Sequence, residues 1–233
     1  MTGRAITLLA PFVIGLACGF VLVTLAAPRL ARAVAVGDAH HVAVDLSEKK
    51  TPSPERIDTA IATMEKQAER YADAKNAADL AALRMFRAHG PDITPSERDR
   101  LLDLSCDATI ASLTMQPAAP YGWARLAALT DRHNGPADLI REAAEMSLLT
   151  GHFAENLLVM RLKILVDAWN ALDKRIKADV LEQIRLADRH RKWELYNATT
   201  DNIQLARLTR IALATDHRRR DFFERWYARH ERK

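Results

Sequence analysis

Residues 117–129 read PAAPYGWARLAAL, and this stretch decides how the rest of the chain is interpreted. Proline interrupts a helix but is favoured in its first turn, so we expect Pro117 to end one helix and Pro120 to begin the next. Trp123 and Leu126 share one face of the new helix, where they can fill the seam between neighbouring helices. The stretch therefore predicts a helix-to-helix joint rather than a ligand-binding motif.

The spacing around this joint fits a repeat. Pro117 and Gly151 both close predicted helices and lie 34 residues apart, which is the period of the tetratricopeptide repeat (TPR). Trp123 follows Pro117 by six residues, as the Trp-type position does in that repeat. Leu126 and Ala127 then occupy the places of the repeat's Leu and Gly. One unit of the repeat would be the helix 120–133 with the helix 136–149.

The neighbouring units match the repeat less well. Leu139 stands where a small residue is expected at the helix crossing. In the next unit Leu157 replaces the Trp-type residue and Arg161 replaces the small one. Two interpretations stay open: TPR-like packing around one good joint, or a plain helical bundle with a Pro-x-x-Pro turn.

Capping residues and helix breakers divide most of the chain into helices. Ser53 precedes Pro54, Thr94 and Glu97 form a capping box, and Asp173 precedes another apolar-periodic run. We therefore expect an all-α fold, an N-terminal transmembrane helix followed by a TPR-like stack of antiparallel helix pairs. The predicted soluble helices are 54–71, 77–89, 95–115, 120–133, 137–149, 153–171, 174–191, 199–214 and 216–230.

The N-terminal segment 6–27 has no charged residue over 22 positions. As a helix it would be about 33 Å long, enough for a hydrocarbon core of about 30 Å. We expect a retained membrane anchor over 1–33. A cleaved signal peptide, with 31–33 as the small-x-small site, and a lipoprotein signal ending at Cys18 are alternatives. The apolar run is long for the first, and Gly15 fits the second poorly.

The charges that flank the anchor are nearly balanced. Arg4 and the amino terminus lie on one side, and Arg29 and Arg32 lie on the other. We expect a single-pass protein of the bacterial inner membrane with a periplasmic domain, although the two following arginines favour the opposite orientation. Residues 34–53 are predicted as a linker, in which VAVDL could be a short strand, and 54–233 as the helical TPR-like domain with a basic C-terminal helix.

The titratable residues form no known catalytic or metal-binding motif. The eight histidines include no HExxH pattern, the two cysteines form no CxxC pair, and glycine-rich phosphate loops and GxSxG are absent from the sequence. Cys106 lies among apolar residues and is expected to be an inert, buried thiol. We therefore expect no enzyme activity, no catalytic residue, no cofactor and no metal.

The C-terminal stretch 217–233 contains seven basic residues and only three acidic ones, which accounts for the formal charge of +4 on the whole chain. Its four aromatics fall on one helical stripe, which predicts a terminal helix docked on the stack. Arg218, Arg219 and Arg220 are candidate contacts to an anionic membrane surface or a protein partner, as is Arg125 at the joint. Nucleic acid is not expected as a partner.

With these residues in hand, the chain resembles the small, single-span, TPR-like proteins of bacterial exopolysaccharide and O-antigen gene clusters (VpsP-like polysaccharide biosynthesis proteins). The resemblance covers roughly residues 100–190, besides the anchor. It is carried by 6–27, by the joint 117–127, by MSLLTG at 146–151, and by Glu155, Arg161, Leu162 and Trp169.

The resemblance implies a role in polysaccharide assembly or export at the inner membrane and carries over no catalytic residue. We therefore expect a non-catalytic accessory or scaffold protein that binds protein partners of a polysaccharide machinery through a helical-repeat surface. Two alternatives stay open: a glycan binder or enzyme acting on the nascent polymer, and a cell-envelope TPR adaptor unrelated to polysaccharide. The sequence leaves the oligomeric state undetermined.

Overall fold

The computed structural model of the chain describes residues 3–48 and 50–230, and these are all-α, as the sequence predicts. Residues 1 and 2 of the predicted anchor and 231–233 of the predicted C-terminal domain lie outside the described residues. The described helices are α1 (Gly3–Ser47), α2 (Pro54–Ala68), α3 (Ala74–Arg87), α4 (Pro95–Met115), α5 (Pro120–Arg132), α6 (Ala137–Thr150), α7 (Leu158–Asp167), α8 (Lys174–His190), α9 (Lys192–Asp201), α10 (Ile203–Ala212) and α11 (His217–His230). Two 3-10 turns, Glu155–Leu157 and Trp169–Ala171, flank α7.

The chain divides into two compact units, one up to Leu101 and one from Leu102 onward. The predicted helical domain 54–233 is therefore not a single compact unit. The first unit contains the N-terminal helix and its partners, and the second contains the joint and the basic C-terminal helix.

The first unit forms around the C-terminal part of α1. The segment 34–53 was predicted as a linker, but α1 continues through it as far as Ser47, and no strand occurs among its described residues. This segment is helical because it has one apolar face, although its overall composition is polar. Ala39, Val42 and Ala43 share one helical face and are buried in a cluster with residues of α2 and α3, and Val36 is buried as well.

Capping and ion pairs fix α2 and α3. The Ser53 side chain accepts a hydrogen bond from the Arg56 amide at the start of α2, and Asp73 begins α3 in the same way, three residues earlier than predicted. Further on, the Arg87 guanidinium donates two hydrogen bonds of 2.7 Å to the Asp92 carboxylate. Arg87 also donates to Asp58 at 2.8 Å, so it links the end of α3 to α2.

The N-terminal part of α1 lacks protein neighbours over the region where side chains are described. Within α1, residues Gly15–Ser47 form a helix long and apolar enough to cross a membrane, and only 6% of its most apolar window is buried. Its large apolar side chains are exposed on all sides: Leu16, Phe20, Val21, Leu22, Val23 and Leu25. A helix that is apolar all round and unpacked fits a hydrocarbon environment.

The second unit is a stack of helix pairs. α5 and α6 pack closely and are joined by a short turn at 133–136, and α7 then pairs with α8. α9, α10 and α11 pack on the end of this series. A single apolar cluster runs from Ala127 on α5 to Tyr227 on α11.

The helices of the second unit differ from the prediction in two regions. The stretch 153–171 is helical only over α7, with 3-10 turns before and after it. The predicted helix 199–214 is two helices, because Asn202 adopts an extended backbone conformation and its side chain caps α10 at the Leu205 amide, 2.9 Å away. The first part of α9, from Lys192 to Ala198, was not predicted to be helical.

Candidate interaction site at the joint and the C-terminal helices

The joint between α4 and α5 is held by a tryptophan. The Trp123 Nε1 atom donates a hydrogen bond of 2.7 Å to the carbonyl oxygen of Pro117. The rest of the Trp123 ring and the side chain of Leu126 pack against the apolar cluster of the second unit. Trp123 thus connects the end of one helix to the start of the next. Its indole N–H makes the polar contact and its ring makes the apolar one.

Close backbone approach explains the glycines around the joint. A Cβ atom on Gly122 would lie 2.8 Å from Leu113 Cδ2, and one on Gly151 would lie 2.6 Å from Pro120 Cβ. The Ser147 hydroxyl also donates a hydrogen bond of 2.8 Å to the Pro120 carbonyl. Pro120 therefore starts α5 in direct contact with the end of α6.

A buried arginine extends this contact network to α7 and α8. Arg161 is fully buried, and its guanidinium donates hydrogen bonds to the carbonyls of Ser147 (2.9 Å) and Gly151 (2.7 Å) at the end of α6. It also donates to Gln183 Oε1 on α8 at 3.0 Å, and the Gln183 amide donates to the carbonyl of His152 at 2.6 Å. Arg161 replaces the small residue of the repeat and acts as a clamp between three helices.

The charge of Arg161 has no carboxylate within ion-pair distance among the described residues. Burial lowers the pKa of Arg161 to about 10, while the nearby Tyr121 favours the charged form. The guanidinium stays protonated at neutral pH. The C-terminal carbonyls of α6 are suitable partners for it, since the negative end of the helix dipole lies there.

Tyr121 and Arg125, the two joint residues considered as partner contacts, have different surroundings. Tyr121 is 50% exposed, and Arg125 is half-buried. Leu139, expected to be small where the helices of the repeat cross, is instead 54% exposed and outside the core. Tyr121 is therefore the joint residue that presents the larger free surface.

The C-terminal helix α11 docks through its aromatic residues. Phe223, Trp226 and Tyr227 are buried, and the Tyr196 ring of α9 lies 5.0 Å from that of Phe223 and 5.3 Å from that of Trp226. Phe222 lies at the edge of this contact and is partly exposed. The aromatic stripe of α11 thus faces the stack, and its basic residues lie at the margin.

A buried polar network fastens α11 to α8 and α9. Asp188 is fully buried and accepts hydrogen bonds of 2.8 Å from both the Tyr196 hydroxyl and the Arg219 guanidinium. Burial, and then the hydrogen bond to Asp188, raise the pKa of Tyr196, so the phenol keeps its proton. Arg219 also contacts Asp216 at 3.1 Å. Arg219, one of the arginines predicted to contact a membrane or a protein partner, is therefore held in ion pairs within the chain.

A basic cleft lies beside this network. It has a volume of about 670 Å3 and lies between the start of α9 and the first three turns of α11. We call it the α9/α11 cleft. Its lining residues are Lys192, Asp216, Arg218, Arg219, Phe222 and Arg225.

The arginines that the sequence offered as contacts to a membrane or a partner do not all lie at the same site. Arg218 and Arg219 line the α9/α11 cleft, whereas Arg220 does not and has Asp221 as a neighbour at 3.8 Å. Arg125 is on α5 and is not part of the lining. Sequence reasoning missed Lys192 and Arg225. The basic run RHRK at 189–192, directly before Trp193, is a sequence signal that could have identified Lys192.

Exposed aromatic side chains continue from the cleft along the helix ends. Trp193 is 59% exposed, and its ring lies 6.1 Å from that of Phe222. Phe153 is 54% exposed and packs edge-on against the His190 ring, 5.0 Å away. Large exposed aromatics of this kind are the residues most enriched in protein-binding surfaces.

No protein-family model, no curated protein and no solved structure matches this chain. The described residues also contain no group of three or more His, Cys, Asp or Glu side chains arranged to hold a metal ion. The features of the described residues that bear on function are therefore α1, the helical surface of the second unit and the α9/α11 cleft.

Proposed function

We propose that this chain is a membrane-anchored, non-catalytic scaffold of bacterial surface polysaccharide biosynthesis or export. It crosses the inner membrane once through α1, presents its helical units to the periplasm and binds protein partners through the helix ends of its second unit. The polysaccharide role rests on the resemblance of residues 100–190, and the scaffold role rests on the surface described above.

The observation that carries this proposal is the continuity of α1. Its 45 residues would extend about 68 Å, about twice what a bilayer core requires. The apolar part supports an anchor, and the same helix then becomes a core element of the first unit from Val36 onward. Cleavage at 31–33 would leave this packed part intact, so the preference for a permanent anchor over a cleaved leader rests on the apolar run 6–27, which is longer than that of a signal peptide.

The exposed aromatics support a protein-binding surface. Tyr121, Phe153 and Trp193 lie at the beginning of helices or just before them, Phe222 lies in the second turn of α11, and all four are partly or largely exposed. Aromatic side chains lose little conformational entropy on binding and bury a large area, so exposed aromatics are suitable contacts for a protein partner.

The test is a deletion of the gene in the bacterium that encodes it, with quantification of cell-surface polysaccharide. We expect the deletion to lower the amount of polysaccharide and the full chain to restore it. Tyr121→Ala combined with Trp193→Ala should restore it poorly at a normal protein level. Tyr71→Ala, an exposed aromatic of the first unit, is the matched control and should restore it fully. An unchanged polysaccharide level in the deletion strain would refute the proposed role.

A further inference from the structure

The α9/α11 cleft contains more positive charge than its own carboxylate neutralises. Asp216 is already engaged, since it accepts hydrogen bonds from the Arg219 backbone amide and forms an ion pair with the Arg219 guanidinium. Arg219 is further held by the buried Asp188. The remaining cations are Lys192, Arg218 and Arg225, and no carboxylate of residues 50–230 lies within ion-pair distance of them.

The three cations differ in position and in freedom. Arg218 and Arg225 are exposed, whereas Lys192 is half-buried and its Nζ atom lies 5.1 Å from the centroid of the Phe222 ring. This cation–π contact holds the ammonium over the aromatic wall of the cleft. The result is one positive charge held against an aromatic ring and two exposed guanidinium groups, and all three line one concave space.

We propose that the α9/α11 cleft is a binding site for a phosphate ester whose phosphate is attached to a ring or a short polar chain. A phosphate monoester carries a charge near −2 at neutral pH and presents three acceptor oxygens, so it matches three cations better than a single carboxylate does. Arginine binds such oxygens in a bidentate manner, and lysine adds a point charge.

The size and lining of the cleft argue for more than inorganic phosphate. The volume of about 670 Å3 falls in the range of small-molecule sites and exceeds the space that a phosphate group fills. The exposed faces of Phe222 and Trp193 offer an apolar surface to the group that carries the phosphate. The phosphate would contact the cations, and a sugar ring or glycerol chain would lie along the aromatics.

This inference concerns a small ligand and does not depend on the polysaccharide role or on a protein partner. Two sources share the chemistry: a soluble sugar phosphate and the headgroup of an anionic phospholipid. The first is a monoester and the second a diester, so titrations with soluble probes separate them.

The experiment uses the purified full chain in a neutral detergent and isothermal titration calorimetry. The probes are glucose 1-phosphate, sn-glycero-3-phosphoglycerol, glucuronate and glucose. We expect at least one phosphate ester to bind more tightly than glucuronate, and glucose not to bind. Tighter binding of the monoester assigns the site to a soluble sugar phosphate, and tighter binding of the diester assigns it to a lipid headgroup.

Arg218→Gln and Arg225→Gln should each weaken binding by about tenfold, since each removes a charge-assisted contact. Arg220→Gln is the matched control: it removes the same charge from the same helix, outside the cleft, and should change the affinity by less than about threefold. Circular dichroism would verify that each variant is folded. The proposal is overturned if neither phosphate ester binds, if glucuronate binds most tightly, or if Arg220→Gln weakens binding as much as Arg218→Gln.

Discussion

Replacement of Arg161 by methionine tests the central packing feature of the second unit. Methionine keeps most of the side-chain volume and removes the guanidinium. The change leaves the Gly151 carbonyl and Gln183 Oε1 without the donor that now serves them, while the Ser147 carbonyl keeps its hydrogen bond from the Gly151 amide. The variant therefore isolates the polar clamp from the filling of space.

The expected magnitude follows from the three hydrogen bonds that the guanidinium makes. Each hydrogen bond of a charged group contributes about 1.5–3 kcal/mol net. The desolvation that lowers the pKa of Arg161 to about 10 offsets part of that sum. A buried acceptor left without its donor costs about 1–3 kcal/mol, so the loss of the donor to the Gly151 carbonyl and Gln183 Oε1 should lower the free energy of unfolding of the second unit by about 2–6 kcal/mol.

The four tryptophans make the assay specific. Trp123, Trp169, Trp193 and Trp226 all belong to the second unit, so tryptophan fluorescence during urea denaturation of the full chain reports that unit. Lys163→Met is the matched control: Lys163 is exposed on the same helix, and its replacement should change the free energy by less than about 0.5 kcal/mol. A loss below about 1 kcal/mol for Arg161→Met, or a gain, would refute the clamp.

Three further predictions address other parts of the molecule. Gly151→Ala places a Cβ atom against the rigid ring of Pro120 and should lower the free energy of unfolding by about 1–3 kcal/mol in the same fluorescence assay. The hydrogen bonds from Arg87 lower the pKa of Asp92, so this pair should stabilise the first unit at a pH above the pKa of Asp92 in the unfolded chain. The stabilisation should be lost as the pH falls through the lower pKa of Asp92 in the folded chain. Asp92→Asn should therefore lower the melting temperature, measured by circular dichroism, at pH 7, and the difference from the unchanged chain should vanish in strong acid. Cys106, which was expected to be buried, is half-buried. Its partial burial, reinforced by two nearby aspartates, raises its pKa, so its alkylation by iodoacetamide at pH 8 should be slower than that of glutathione, and an equal rate would contradict the raised pKa.

Local signals predicted most of the fold. Pro54, Pro95 and Pro120 each begin a helix where the sequence places it, and Asp173 caps α8 through the Ile176 amide. These features act within one turn of the chain, so they can be recognised without knowledge of the partners.

The predictions that were wrong concern segments whose structure depends on residues distant in the sequence. Residues 34–47 look like a linker because their buried face is short and only becomes favourable against α2 and α3. Asn202 was not recognised as the cap that separates α9 from α10, since asparagine is tolerated within helices as well as at their ends.

The candidate site was only partly predictable for the same reason. Arg218 and Arg219 were identified from the basic tail, but Lys192 comes from another helix and reaches the cleft only because α9 and α11 pack together. Arg161 and Asp188 were not anticipated as buried charges, because their partners lie 8 to 31 residues away in sequence. A buried ionic group is acceptable only when such partners exist, and they become visible only in the folded chain.

The proposed scaffold role requires that α1 holds the helical units permanently at a membrane. Alkaline carbonate extraction of cell membranes, with detection through a tag after Lys233, measures this directly. We expect the chain to stay in the membrane pellet at its full mass of 26.1 kDa plus the tag. Recovery of a shortened chain in the carbonate supernatant would show that the N-terminal segment is a cleaved leader, and it would contradict the claim.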